Sequence, residues 1–287
     1  MKIRVITDSA ADLPSEMLEK HNIVRIPHIV IFDDKPWKLG VDISVEDFYE
    51  KLKISDFIPS SSNPEPTDFL IHIRESLEVQ GYDHVLCITV AKDLSSSTFL
   101  AVRVAAKEYK DRVTIINTQS ASGVQGLITL SVAELAEKGI SLMEIEEKVK
   151  NAIENYYLIV GFHTLDNVYK SGRLKSKLIL KLTKLIGIKP IAEMERPGTL
   201  ESKLPAFFTN RAMINRLTKL AIKRTDDSTS YDLIISHVQN QEGAQIILKR
   251  LKKRRKIRRS FITLATPIIG SNTGMGTIII SLLPSIS

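Results

Sequence analysis

The chain has 287 residues, 43% of them hydrophobic, enough to bury a large core in one big domain or two of ordinary size. Its single cysteine, Cys87, excludes a disulfide framework and a cysteine-built metal centre. The formal charge of +7 is local: residues 249–259 carry nine basic side chains and no acid, which leaves the remainder at −2.

The first segment, Ile3, Val5 and Ile6, reads as a short strand running into Thr7-Asp8-Ser9, and residues 14–20 follow as a helix with proline in its first turn. Asp8 comes too early for a signal-peptide core, and no apolar run approaches the roughly 18 residues of a spanning helix, so a cytoplasmic protein is expected. Residues 23–32 are β-branched and apolar, with Pro27 marking an edge strand or a break. Ser44-Val45-Glu46-Asp47 resembles an N-cap with an acid three residues on and predicts a helix over 48–53.

Next comes Pro59-Ser60-Ser61-Ser62-Asn63-Pro64, expected just before a helix whose apolar positions are Phe69, Leu70, Ile73 and Leu77. Helix starts leave backbone N–H groups unpaired and, with the helix dipole, attract a carboxylate or phosphate. Residues 85–90 form a nearly continuous apolar strand, as in a parallel sheet covered on both faces, and a second serine stretch, Leu94-Ser95-Ser96-Ser97-Thr98, follows it. In open α/β sheets ligands bind at that carboxyl edge. A helix over 99–109, a strand over 113–116, a helix running from Ser120-Ala121-Ser122-Gly123 to Gly139, and a helix capped by Ser141 and Glu144 complete this half.

At Tyr156 the pattern restarts, which divides the chain into an amino-terminal α/β domain, 1–155, and a carboxyl-terminal α/β domain, 156–287. In the second domain, strands are expected over 157–162, 188–194, 204–208, 233–238 and 277–283. Helices are expected over 174–186, 213–222 and 243–255. Gly270 to Gly276 reads as a glycine-rich loop. The basic run would sit at the end of the last helix; without interleaved aromatic residues it lacks a base-stacking platform, so no nucleic acid is expected, and at most a transient contact with a membrane surface.

The residues contain no self-contained catalytic set. Gly-x-Ser-x-Gly, the Walker sequence, the dinucleotide fingerprint and the usual histidine spacings for zinc are all absent. Serines at helix starts are ordinarily plain caps, and an anion site is the functional alternative. Two serine-bearing starts would grip one small anionic group from two sides.

Taken together, the motifs resemble those of the bacterial DegV family. Thr7-Asp8-Ser9-Ala10-Ala11-Asp12-Leu13-Pro14 is similar to its amino-terminal signature. Pro59 to Pro64 resembles its Pro-x-Thr-Ser-Gln-Pro loop, and Leu94 to Ser97 its Leu-Ser-Gly-Thr. Ser122-Gly123 with Gly126, Thr164-Leu165-Asp166 with Lys170-Ser171-Gly172-Arg173, Ile188-Lys189-Pro190-Ile191, and Gly270 to Gly276 extend the series in order. Asn63 stands where the family carries glutamine, Ser96 where it carries glycine, Asn272 where it carries histidine and Met275 where it carries proline.

The resemblance implies two α/β domains with mostly parallel sheets, the EDD fold, and a lipid tunnel between them. It implies a binding subunit without turnover that holds a long-chain fatty acid such as palmitate and presents it to a separate fatty acid kinase subunit. No cofactor is implied beyond the bound acid. By position, the carboxylate contacts would fall on Ser61, Ser62 and Ser95, with Thr273, Arg173, Asn272 and Ser97 near the tunnel mouth. The competing reading is an enzyme acting on a small phosphorylated or acyl substrate, with the serine loops as its oxyanion site.

Overall fold

The structure, a computed structural model, describes residues 1–32, 34–55, 59–164, 166–171 and 187–286. The amino-terminal part runs through β1 (Ile3–Asp8), α1 (Ser15–Lys20), β2 (Val24–Ile26), β3 (Ile29–Phe32), β4 (Lys35–Lys38), α2 (Val45–Ile54), β5 (Ser60–Ser62) and α3 (Pro66–Arg74). It continues with β6 (His84–Thr89), α4 (Ser96–Ala105), β7 (Val113–Asn117), α5 (Ser122–Glu137) and α6 (Leu142–Asn155). Strands β2-β1-β6-β7 form a sheet in that order, parallel throughout, as the nearly continuous apolar run over 85–90 predicts. Pro27 does break the 23–32 segment: β2 stays in the parallel sheet, while β3 leaves it to pair antiparallel with β4 and β5.

The serine stretch differs from expectation. Ser60–Ser62 is a strand, with Ser61 opposite Val30 and Ser62 opposite Ile29, and α3 begins only at Pro66. Asp68 accepts the Glu65 N–H at 2.8 Å, so this helix start already holds carboxylates and does not attract a further anion. Only the second stretch caps a helix. Ser95 precedes α4, whose first turn has no acid.

The carboxyl-terminal part contains β8 (Tyr157–Gly161), α7 (Asp166–Ser171), β9 (Lys189–Glu195), β10 (Thr199–Phe207), α8 (Asn210–Arg224), β11 (Ser230–His237), α9 (Gln241–Lys252), β12 (Lys256–Leu264), α10 (Pro267–Thr273) and β13 (Ile278–Pro284). The α/β class holds, but a mostly parallel second sheet does not. In the order β10-β9-β8-β13-β11-β12, only β11 and β12 pair in parallel. The β9–β10 hairpin and the late return of β13 between β8 and β11 impose the antiparallel neighbours. The expected glycine loop is also partly helical: α10 occupies 267–273 and stops at Gly274, whose φ of 85° a side chain would disfavour. The helix expected over 174–186 lies outside the described residues.

The basic run is only in part a helix end in solvent: Lys249, Arg250 and Lys252 are exposed on the last turn of α9. It leaves α9 at Lys252 and enters β12, where Arg258 bridges to the buried Asp232 at 2.5 Å and Arg259 pairs with both Asp232 and Glu134. Arg255 pairs with Asp227 and donates to Thr225 at 2.8 Å. Part of the local charge therefore fastens β12 to its neighbours. Among the described residues, no helix is long and apolar enough to cross a membrane.

Helix α5 explains how the two sheets meet. It is apolar on nearly every side, as a helix covered all round must be, and it packs against β1 and β6 of one sheet and β11 and β13 of the other. The resulting core joins Ile3, Val5 and Leu86 to Leu158, Val160 and Ile279. Alternation along β8 sends Leu158 and Val160 to this core and Ile159 to a second core beneath α8 and α9.

Close approach of α5 to the second sheet depends on Gly123. A Cβ there would lie 2.7 Å from the Ile234 Cβ and 2.8 Å from the Ser281 Oγ, neither at the end of a flexible chain. Gly123→Ala is expected to destabilise the protein by about 1–3 kcal/mol through overpacking, read as a lowered urea midpoint at unchanged slope.

Candidate functional site

A cavity lies between the carboxyl ends of the parallel strands and the inner face of the six-stranded sheet. One wall is Leu158, Val160 and Phe162, alternate residues along and just beyond β8, joined by Ile279 of β13, Met194 of β9 and Leu200 of β10. The other is Ala10, Val90, Leu94 and Ala121, from the loops that leave β1, β6 and β7. Ile268 and Ile269 of α10 and Val168 of α7 cover the remainder. These walls offer no charge and suit a hydrocarbon.

Polar groups gather at one end. Helix α10 packs on β3 and β5, bringing Asn272 and Thr273 to the end where His28 and Asn63 also line the cavity. The network begins at Ser9, whose Oγ accepts the backbone N–H of His28 at 2.8 Å and is hydrogen-bonded to His28 Nδ1 at 2.9 Å. The other ring nitrogen, His28 Nε2, is hydrogen-bonded to Thr98 Oγ1 at 3.3 Å. Thr98 Oγ1 donates to Asn63 Oδ1 at 3.1 Å, and Ser95 Oγ donates to the same oxygen at 2.7 Å. Ser95 and Thr98 hydroxyls are themselves 2.8 Å apart, and Ser95 Oγ caps Thr98 N at 3.4 Å. The donors thus converge on one oxygen, at the unneutralised start of α4.

The start of α5 closes the flank. Ser122 lines the cavity with φ of 55°, an unusual value for serine, and is held by the loop after β1. Its N–H donates to Ala10 O at 2.8 Å, and its hydroxyl donates to Asp12 Oδ2 at 2.5 Å. The other carboxyl oxygen of Asp12 accepts the Thr266 N–H at 2.6 Å. Complete burial pushes the Asp12 carboxyl above its ordinary value, against the downward pull of these hydrogen bonds.

Of the positions singled out in the sequence, Ser95, Asn272 and Thr273 line the cavity. Ser61 and Ser62 do not; they are spent on β5, with Ser62 exposed, and their neighbour Asn63 takes the place beside Ser95. Ser97 is exposed on α4, and Arg173 lies outside the described residues. Asn272 Nδ2 donates to Ile268 O at 2.6 Å and Thr273 Oγ1 to Ile269 O at 2.9 Å, so both return a hydrogen to their own helix. His28 and Thr98 escape a sequence reading. Thr98 was detectable only through its three-residue spacing from Ser95, that of a cap, and His28 only as the residue after the strand-breaking Pro27.

Three comparisons bear on this arrangement. The family model described as "Uncharacterised protein, DegV family" matches residues 2–285. A DegV domain-containing protein of Listeria monocytogenes is 27% identical over 281 residues, covering 96% of each chain. Among solved structures, a DegV family protein from Thermus thermophilus described by its fatty acid binding has a TM-score of 0.90 at 22% identity, covering 99% of this chain and 100% of its own. DegV of Bacillus subtilis, described as a fatty acid binding protein, has a TM-score of 0.86 at 23% identity with the same coverage.

The buried Asp12 gives a pH test. Its native pKa lies above that of the unfolded chain, so the folded state keeps a proton that the unfolded state releases. Its stabilising contribution is full below the unfolded carboxyl value of about 3.9 and is lost as pH rises through the native value. Asp12→Asn removes that slope. Between about pH 4 and pH 7 the variant should gain stability relative to wild type in urea titrations, whereas parallel curves would contradict a raised Asp12.

Proposed function

The chain belongs to the DegV family, and from that premise we propose that its cavity holds one long-chain fatty acid, with the carboxylate at the Ser95 end and the alkyl chain along β8. The observation that carries the reading is the pairing of an apolar cavity with hydroxyl donors converging on a single oxygen, Asn63 Oδ1. A ligand carboxylate taking over as acceptor from that oxygen would receive the Ser95 and Thr98 protons at the positive end of α4. The solved relatives described as fatty acid binders support the choice of ligand.

Energetics favour the same ligand. Sixteen carbons at about 0.8 kcal/mol per buried CH₂ give a gross gain on the order of 12 kcal/mol before ordering and association costs. A carboxylate removed from water needs donors, and hydroxyls plus helix amides supply them without a countercharge that would make release difficult. The acid is then available to a second protein. We propose that this partner is a fatty acid kinase subunit, which phosphorylates the presented carboxylate with ATP while this chain performs no turnover itself.

Protein purified from cells should release close to one equivalent of long-chain acid on denaturation and solvent extraction. Ser95→Ala should weaken retention by about 10- to 100-fold, the loss of a hydrogen bond to a charged group. Purified protein with neither bound acid nor affinity for added acid would overturn the reading. ATP-dependent acyl phosphate should form only when a kinase subunit is supplied, and its formation by this chain alone would favour an enzyme.

A further inference from the structure

One end of the cavity is built differently from the polar end. Strand register sets Leu200 opposite Met194, and Ile159 opposite Glu193, so that Leu158 adjoins Met194 in the next pair. Leu200, Met194 and Leu158 therefore form one row across β10, β9 and β8, and all three line the cavity. Val160 and Ile279 form a row nearer the polar groups, and Phe162 lies nearer still.

Past the Leu200–Met194–Leu158 row, toward the β9–β10 turn, stand groups held by several contacts. Arg196, in the β9–β10 turn, sits 4.7 Å over the Tyr156 ring and donates to Ile153 O at 2.9 Å and Tyr156 O at 3.1 Å. The Tyr156 hydroxyl bonds to Gln119 O. Gly198 in the same turn would place a Cβ 2.7 Å from the Ala91 Cβ, so the turn is seated on the loops of the other sheet with no room for a side chain. Among the described residues, Met194 and Leu200 are the lining side chains that adjoin this turn, which is pinned to both halves of the molecule. Met194 is buried and Leu200 half-buried.

We infer that the β9–β10 hairpin is the end wall of the acyl cavity and that Met194 and Leu200 set the longest straight chain the protein accepts. This rests on the fatty-acid reading above. A chain that stops short of the row forfeits about fourfold in affinity for each methylene left uncovered. A chain that is too long must push a packed side chain against the Arg196–Tyr156 barrier.

The test uses full-length protein stripped of lipid and equilibrated with an equimolar series of straight-chain saturated acids from lauric to arachidic, with the bound acids quantified by mass spectrometry. Met194→Ala removes three side-chain heavy atoms and should move the preferred acid longer by about two to three carbons. Leu200→Ala should move it the same way and Leu200→Phe toward shorter acids. If Met194→Ala fails to fold, the two Leu200 variants carry the test. Variants that bind acid with the wild-type length profile would overturn the wall, while a wild type that binds none of the series would overturn the fatty-acid reading and the wall with it.

Discussion

The hydrogen-bonded junction of Asp12, Ser122 and Thr266 is the constraint on which the rest of the molecule depends. It joins the loop after β1, the start of α5 and the start of α10, three segments far apart in sequence, within two hydrogen bonds of one carboxyl group. A buried carboxyl is costly unless satisfied, so these partners are drawn to one arrangement. The junction also holds Ser122 in a left-handed backbone conformation that would cost roughly 1 kcal/mol or more in isolation. With its first residue so placed, α5 runs between the sheets, and the close contact at Gly123 fixes how near they come.

The cavity follows from that spacing. The loops after the parallel strands face β8 and β13 of the other sheet across a space with apolar side chains on both sides. Its polar groups come mostly from loops and helix ends: His28 from the turn between β2 and β3, Asn63 from the end of β5, Ser95 from the start of α4, and Asn272 and Thr273 from the end of α10. A rigid sheet supplies the alkyl wall and capped termini supply the donors. Such a division suits a ligand with one polar end and a long inert body.

Much of this was legible in the chain. The central strand β6 announced itself as a nearly continuous apolar run over 85–90, and a serine cap with an acid three residues on marked the starts of α2 and α6. Ser95 was identified correctly as a helix cap because its signal is local. Ser61 and Ser62 were not, because proline at 64 and 66 reads as a helix start while pairing with β3 is a long-range event that composition cannot register. The antiparallel second sheet was missed for the same reason: β13 slots between β8 and β11, and only its partners reveal its direction. The basic run misled in another way. Its counterions, Asp232, Glu134 and Asp227, lie on other elements, so a run that looks solvated is partly structural.

The claim that a carboxylate is held by Ser95 and Thr98 is most directly tested by a crystal structure of the protein purified with the ligand it carries from the cell. Continuous acyl density running from Ser95 past Val160 toward Met194, with the head group within hydrogen-bond reach of both hydroxyls, is the expected result. Density for a head group elsewhere, with the Ser95 and Thr98 hydroxyls still bonded to Asn63, would contradict it.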